Sequence, residues 1–206
     1  MKHSLFLFTI LFSLLSSCNS KKQNPEVRTV NNPEQDTSKL YQKIKIIYGE
    51  EKKNSEEYEV YVSKKNDTFF NQWKFYKNGI IDSSKSKFYE LKIEGNKGDS
   101  IFKGKLSIFS PADSIPKSKI HSRDINLSYL QKENDSFFIK EIQTDKNIIY
   151  FDYKNIENMS FVGYISDLRV INVDSLAKDD KLLVNRNYFA VDTEVSTNNH
   201  FVELLK

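Results

Sequence analysis

Two histidines, His121 and His200, are all that the chain offers beyond the amino-terminal His3. A catalytic zinc commonly takes three protein ligands, and no His-Glu-x-x-His pair at helical spacing exists here, so no metal and no cofactor are expected. His121 is followed by Ser122, Arg123 and Asp124 without the surroundings of a nuclease or kinase motif, and it reads as a surface histidine. Asp174, Asp179 and Asp180 lack the glycine and alternating oxygens of a calcium loop, and capping of a short helix accounts for them. There is no Gly-x-Ser-x-Gly elbow, and the 6 glycines form no phosphate cradle. No catalytic residue is assigned on this basis. Paired carboxylates for glycoside cleavage stay open as an alternative, because they need proximity in space and leave no linear motif.

The one residue with a strong chemical context is Cys18. Met1 to Ser4 form a short basic start, residues 5–15 are an eleven-residue and mostly apolar run, and Leu15-Ser16-Ser17-Cys18 follows. Such a run is too short for a helix that spans a bilayer, which needs ~20 residues, and it fits a secretory signal. The Leu-Ser-Ser-Cys segment resembles the lipobox of bacterial lipoproteins. That resemblance implies cleavage after Ser17, a diacylglycerol on Cys18, and attachment to a membrane through that lipid. Cys18 is the only cysteine, so its acylation would leave the mature chain without disulfide, thiolate nucleophile or thiolate metal ligand. Asn19-Ser20-Lys21-Lys22-Gln23 lacks the acidic residues of the surface-export signal in lipoproteins of Bacteroidota, which the chain resembles. An exported protein on the outer membrane, facing the periplasm, is the expectation.

Aromatic residues are the remaining resource, with 11 Tyr, 15 Phe and a single Trp. Trp73, Phe75 and Tyr76 lie together and are the candidate ligand-binding residues. The stretch from Trp73 to Ile80 is similar to one Tyr-x-Asn-Gly unit of the MORN-like kind, although a generic hairpin accounts for it better. Asp99-Ser100-Ile101, Asp113-Ser114-Ile115 and Asp174-Ser175-Leu176 are similar to the O-glycosylation signal of Bacteroidota, which marks Ser100, Ser114 and Ser175 as candidate acceptors.

These residues need a scaffold, and its period is two. Ile44, Ile46 and Tyr48 alternate with Lys43, Lys45 and Ile47, and Tyr58, Val60 and Val62 alternate with Glu57, Glu59 and Tyr61. Further strands are expected at 68–77, 86–94, 100–109, 124–131, 136–144, 147–153, 160–165, 168–173, 188–195 and 200–204. Asn- and Asp-rich reversals such as Lys77-Asn78-Gly79 join them. The expected fold is all-β, an antiparallel sandwich or barrel of about ten to twelve short strands with at most one short helix, at 175–183. Residues 110–123 carry Pro111 and Pro116 and are expected to cross between two sheets rather than act as a lid. Residues 1–17 are the signal peptide, 18–39 a polar spacer of about 20 residues with a reach of ~25 Å, and 40–206 one β domain. Lysine pairs such as Lys43/Lys45 share a strand face and read most simply as a solvated strip.

The net charge of +3, carried by lysines with only four arginines, leaves no footprint of a nucleic-acid binder. The functional expectation is a lipid-anchored, non-catalytic binding or assembly module for an apolar ligand, a glycan or a protein partner. The alternative is an envelope polysaccharide hydrolase.

Overall fold

Alternation of β-branched and aromatic residues with polar ones drives about two thirds of the described residues into strands. The computed structural model describes residues 27–30, 38–50, 53–96, 98–154, 160–173 and 181–206. In chain order the strands are β1 (Val27–Val30), β2 (Tyr41–Gly49), β3 (Ser55–Ser63), β4 (Thr68–Lys77), β5 (Ile80–Ile81), β6 (Phe88–Glu94), β7 (Ile101–Phe109), β8 (Ile120–Glu133), β9 (Ser136–Thr144), β10 (Ile148–Lys154), β11 (Val162–Val173), β12 (Lys181–Asp192) and β13 (Ser196–Thr197). Three 3₁₀ turns, Pro111–Ser114, Lys117–Lys119 and His200–Leu205, complete the list. The first sheet runs β1-β2-β3-β4-β5 with β13 also on β2, the second is β10-β7-β6, and the third is β12-β11-β8-β9. Every strand pair is antiparallel and, among the described residues, no sheet closes on itself. The fold is therefore all-β and antiparallel, as the period-two pattern predicts, and of the two architectures that pattern left open it is the sandwich. Cys18 and Ser175 lie outside the described residues.

The main core forms where the second and third sheets face each other. Ile125, Leu127 and Tyr129 of β8, Ile165 of β11, and Phe189 and Val191 of β12 meet Leu106 and Ile108 of β7 and Ile149, Phe151 and Tyr153 of β10. Each fully buried side chain of this size contributes roughly 1.5–3 kcal/mol. Gly104 is needed here because a Cβ at its position would lie 2.2 Å from the Phe151 ring. A smaller cluster of Tyr41, Tyr61, Phe69, Ala190 and Val202 holds the first sheet against β12 and the carboxy-terminal turn. The turn between β4 and β5 has Asn78 and Gly79 at φ 52° and 81°, the two positive values that a tight hairpin requires.

Residues 110–119 join β7 of the second sheet to β8 of the third, so they cross between sheets as expected, while residues 120–123 of the expected crossover belong to β8. They are fastened by charge. Asp113 Oδ1 accepts from Arg169 Nη2 at 2.7 Å, and Asp167 Oδ2 accepts from Arg169 Nη2 at 2.7 Å and Arg123 Nη2 at 2.9 Å. Asp167 and Arg169 are 0% and 1% exposed.

The structure departs from the sequence pattern in four places. The interruption expected at Ser166-Asp167 is absent, because those arginines neutralise Asp167 and let β11 run through without a turn. Residues 200–204 form a 3₁₀ turn, since buried Asn199 accepts from Phe201 N through its side chain at 3.0 Å and caps it. Residues 181–183 of the expected helix belong to β12, whose twelve-residue ladder with β11 wins over a short helix, and the rest of that helix lies outside the described residues. Val27–Val30, within the expected spacer, pair with Lys45–Tyr48 of β2.

Candidate functional site

The inner face of the first sheet changes character along its length. Near β13 it carries Tyr41, Tyr61 and Phe69, the small core. Two residues further along the ladders it turns to charge, because Lys45 lies opposite Glu59, Glu59 opposite Gln72, and Glu57 opposite Lys74. Directly opposed residues share a face, so these side chains form two adjacent rows on β2, β3 and β4. They line an open cleft of about 200 Å³ together with Lys43, Trp73 and Val195.

The polar groups of the cleft are held in place from behind. Glu59 Oε1 accepts from Asn71 Nδ2 at 2.8 Å and from Gln72 Nε2 at 2.9 Å. Gln72 Oε1 in turn accepts from Tyr89 N at 3.0 Å, which fixes its amide. Lys43 Nζ donates to Asp192 O at 3.0 Å. Lys74 Nζ lies 4.7 Å from the centre of the Phe88 ring, a cation–π placement that leaves its donors to a ligand. Lys45 Nζ pairs with Glu57 Oε2 at 2.8 Å, and the Glu57 side chain is 8% exposed. Glu57 Oε1 is buried and has no hydrogen-bond partner among the described residues. A carboxylate with one satisfied and one unsatisfied oxygen is costly to keep, and a site that receives donors from outside is where such a group is expected. Behind the cleft, burial raises the Asp192 carboxyl above its ordinary range.

Of the residues that the sequence marks for binding, Trp73 lines this cleft. Phe75 and Tyr76 instead line a second basin of about 490 Å³ at the end of the same sheet, beside Tyr48, Asn54 and Asp82. Trp73 and Phe75 share a face of β4 while Tyr76 takes the other, where its hydroxyl reaches Glu57 Oε2 at 3.5 Å. The three are thus split between two places. Ser100 and Ser114 are both exposed, and Ser114 Oγ donates to Pro111 O at 2.7 Å. His121 and His200 are exposed, and among the described residues no group of three His, Cys, Asp or Glu could hold a metal.

Sequence reasoning missed Glu57, Glu59, Gln72 and Lys74, and it read Lys43 and Lys45 as a solvated strip. A legible signal did exist: Glu57 and Glu59 stand two apart on one strand, as do Lys43 and Lys45, so complementary faces were available for pairing. Glu57 and Glu59 also bring two carboxylates into one cleft, which the alternative reading requires. Comparison with protein-family models gives no match, and comparisons with curated proteins and with solved structures give none.

Proposed function

We propose that the protein is a cell-envelope lipoprotein, anchored through Cys18, whose sandwich is a non-catalytic module binding a polar, polyhydroxylated ligand such as an envelope glycan in the cleft of the first sheet. The observation that carries this reading is the pair of rows Lys45/Glu59/Gln72 and Glu57/Lys74 facing one open cleft. A saccharide hydroxyl both donates and accepts, and it needs acceptors and donors side by side. Carboxylate, amide and ammonium groups at the spacing of a β ladder, about 4.5–5.5 Å, provide that alternation. An apolar ligand would leave those charges unsatisfied and desolvated. Export and lipid attachment follow from the lipobox resemblance, and the position at the outer membrane, facing the periplasm, from the lack of acidic residues in Asn19-Ser20-Lys21-Lys22-Gln23.

The test is calorimetric titration of the unlipidated Cys18→Ser chain with fractionated envelope polysaccharide. Saturable binding that falls at least about tenfold in Glu57→Gln and in Lys74→Ala, but not in Tyr150→Ser on the second sheet, is the expected result. Tenfold corresponds to about 1.4 kcal/mol, the scale of one hydrogen bond to a charged group. Absence of saccharide binding, or a co-purifying apolar lipid that these variants leave in place, overturns the reading. Turnover of the polysaccharide that Glu57→Gln abolishes would make the module a hydrolase.

A further inference from the structure

On the face opposite the cleft, the first sheet is aromatic from Phe70, level with Ile44, to the end where Tyr48 and Phe75 flank Glu56. The Tyr58 ring packs edge to face with Tyr48, Phe70 and Phe75, at centroid separations of 5.8, 6.0 and 6.3 Å. Phe70 is 55% exposed, and Ile80 at the β4–β5 turn is 73% exposed. Two hairpin tips are tied together at this end. Gly79 N donates to Lys53 O at 3.1 Å, and Asn78 N donates to Asn54 Oδ1 at 3.2 Å. The end is therefore one rigid surface rather than two loose loops.

The pairing of β1 decides where this surface sits. Val27 lies opposite Tyr48, so the chain leaves the sandwich beside the aromatic end, and only nine positions separate Val27 from Cys18. Nine residues span about 15–18 Å as a random coil and at most ~30 Å fully extended. That is much shorter than a spacer of about 20 residues, and an acylated Cys18 would hold the Tyr48 end close to the bilayer. Aromatic rings with a polar tip are the side chains that favour the headgroup region.

We infer that Tyr48, Tyr58, Phe75 and Ile80 form a membrane-facing end that rests in the interfacial region of a phospholipid bilayer, so that the sandwich stands on the membrane in one orientation with its cleft turned sideways. The inference rests on acylation of Cys18. The surface needs no anionic lipid, because Glu56 and Asp82 balance Lys77 and Lys85 around the adjoining basin.

The test uses the full lipidated chain in phosphatidylcholine vesicles, with an environment-sensitive dye on a single new thiol at Ile80→Cys or, as the control, at Tyr150→Cys, which is 70% exposed on the second sheet. Acylated Cys18 carries no free thiol, so each variant is labelled at one site. Intact mass and vesicle flotation read the anchor independently of the dye. The expected result is flotation of both, with a blue-shifted, brighter dye at position 80 only, and a return toward the emission in water when Phe75→Asp is added while flotation persists. Flotation with both dyes reporting water, or with position 150 shifted instead, overturns the docking and leaves the anchor intact. A shift at position 80 that requires added envelope protein overturns it in favour of a protein partner. A chain with unmodified Cys18 that does not float overturns both.

Discussion

Asn71 on β4 uses both ends of its side-chain amide on the main chain of Ala190 in β12, with Oδ1 accepting from Ala190 N at 2.9 Å and Nδ2 donating to Ala190 O at 2.9 Å. The β3–β4 register shifts between Glu59 and Val60, so that Val60 faces Phe70 and Glu59 faces Gln72, leaving Asn71 as the extra residue of a bulge. Free of the ladder, its amide imitates a strand and joins the first sheet to the third. The same Nδ2 reaches Glu59 Oε1 at 2.8 Å, which ties the floor of the cleft to that seam.

Asn71→Ala removes the partner of two main-chain groups of a residue that is 0% exposed. Each buried group left unpaired costs about 1–3 kcal/mol, so a loss of about 2–6 kcal/mol is expected, read as a lower urea midpoint with an unchanged slope. An unaltered midpoint would show that the seam does not depend on this amide. Asn71→Asp keeps the acceptor but sets a second carboxylate against Glu59, and its deficit should shrink as pH falls and one of the two is protonated.

Arg169→Met tests the clasp on the crossover. Burial alone would raise the Asp167 carboxyl, but hydrogen bonds from Arg123 and Arg169 hold it below its usual range. Removing one arginine leaves a buried charge half compensated, at a cost of about 3–5 kcal/mol, whereas Arg169→Met combined with Asp167→Leu should recover much of that loss. The sign with pH follows from the depressed carboxyl. Its stabilisation is present above pH ~4 and is lost as pH falls through the folded value, so acid should destabilise the parent more steeply than Arg169→Met. Denaturant midpoints between pH 2 and pH 6 measure this.

Strand positions were legible because alternation needs only local information, and the Asn78-Gly79 turn carries its own conformational signature. What stayed hidden depends on pairing between distant residues. Asp167 looks like a turn residue until Arg123 and Arg169 are placed against it. Val27–Val30 look like spacer because a four-residue strand has meaning only beside the β2 edge that accepts it. The cleft was half legible: the glutamates of β3 and the lysines of β2 announce two polar faces, but the register that sets Lys45 against Glu59 and Glu57 against Lys74 is a property of the folded sheet. Trp73, Phe75 and Tyr76 are close in sequence, and the alternation of β4 sends Tyr76 to the face opposite Trp73 and Phe75.

Gly104→Ala checks the main core. The added methyl would start 2.2 Å from the Phe151 ring, and Phe151 is itself packed by Tyr129 and Phe161 at 5.3 and 5.2 Å. The ring has no free direction in which to yield. Overpacking of this kind costs about 1–3 kcal/mol, and Gly104→Ala with Phe151→Leu should be more stable than Gly104→Ala alone in thermal unfolding.

Lys87 supplies the clearest dependence on alkaline pH. Its side chain is 9% exposed, with Nζ 5.0 Å from the centre of the Trp73 ring and 4.8 Å from that of Phe189, and no carboxylate among the described residues pairs with it. Burial pushes the amine down to about 8, against ~10.4 in an unfolded chain. Between those values the unfolded state binds more protons than the folded state, so stability rises with pH. Below pH 8 both states are charged and the full cost of burying the charge, about 3 kcal/mol, is present. Burial also raises tyrosines, with Tyr41, Tyr58 and Tyr164 pushed up to about 12, and their stabilisation is lost as pH climbs beyond 10. The rise due to Lys87 is therefore confined to pH 8–9.5, where it amounts to about 2 kcal/mol. Lys87→Met, which keeps most of the chain length without the charge, should be more stable than the parent at pH 7 and flat across that interval. Trp73 is the only tryptophan, so its fluorescence provides a local check. It should change with a midpoint near pH 8 in the parent and not in Lys87→Met, and a parent whose stability and Trp73 emission are both flat from pH 7 to 9.5 would show that Lys87 remains charged between its two rings.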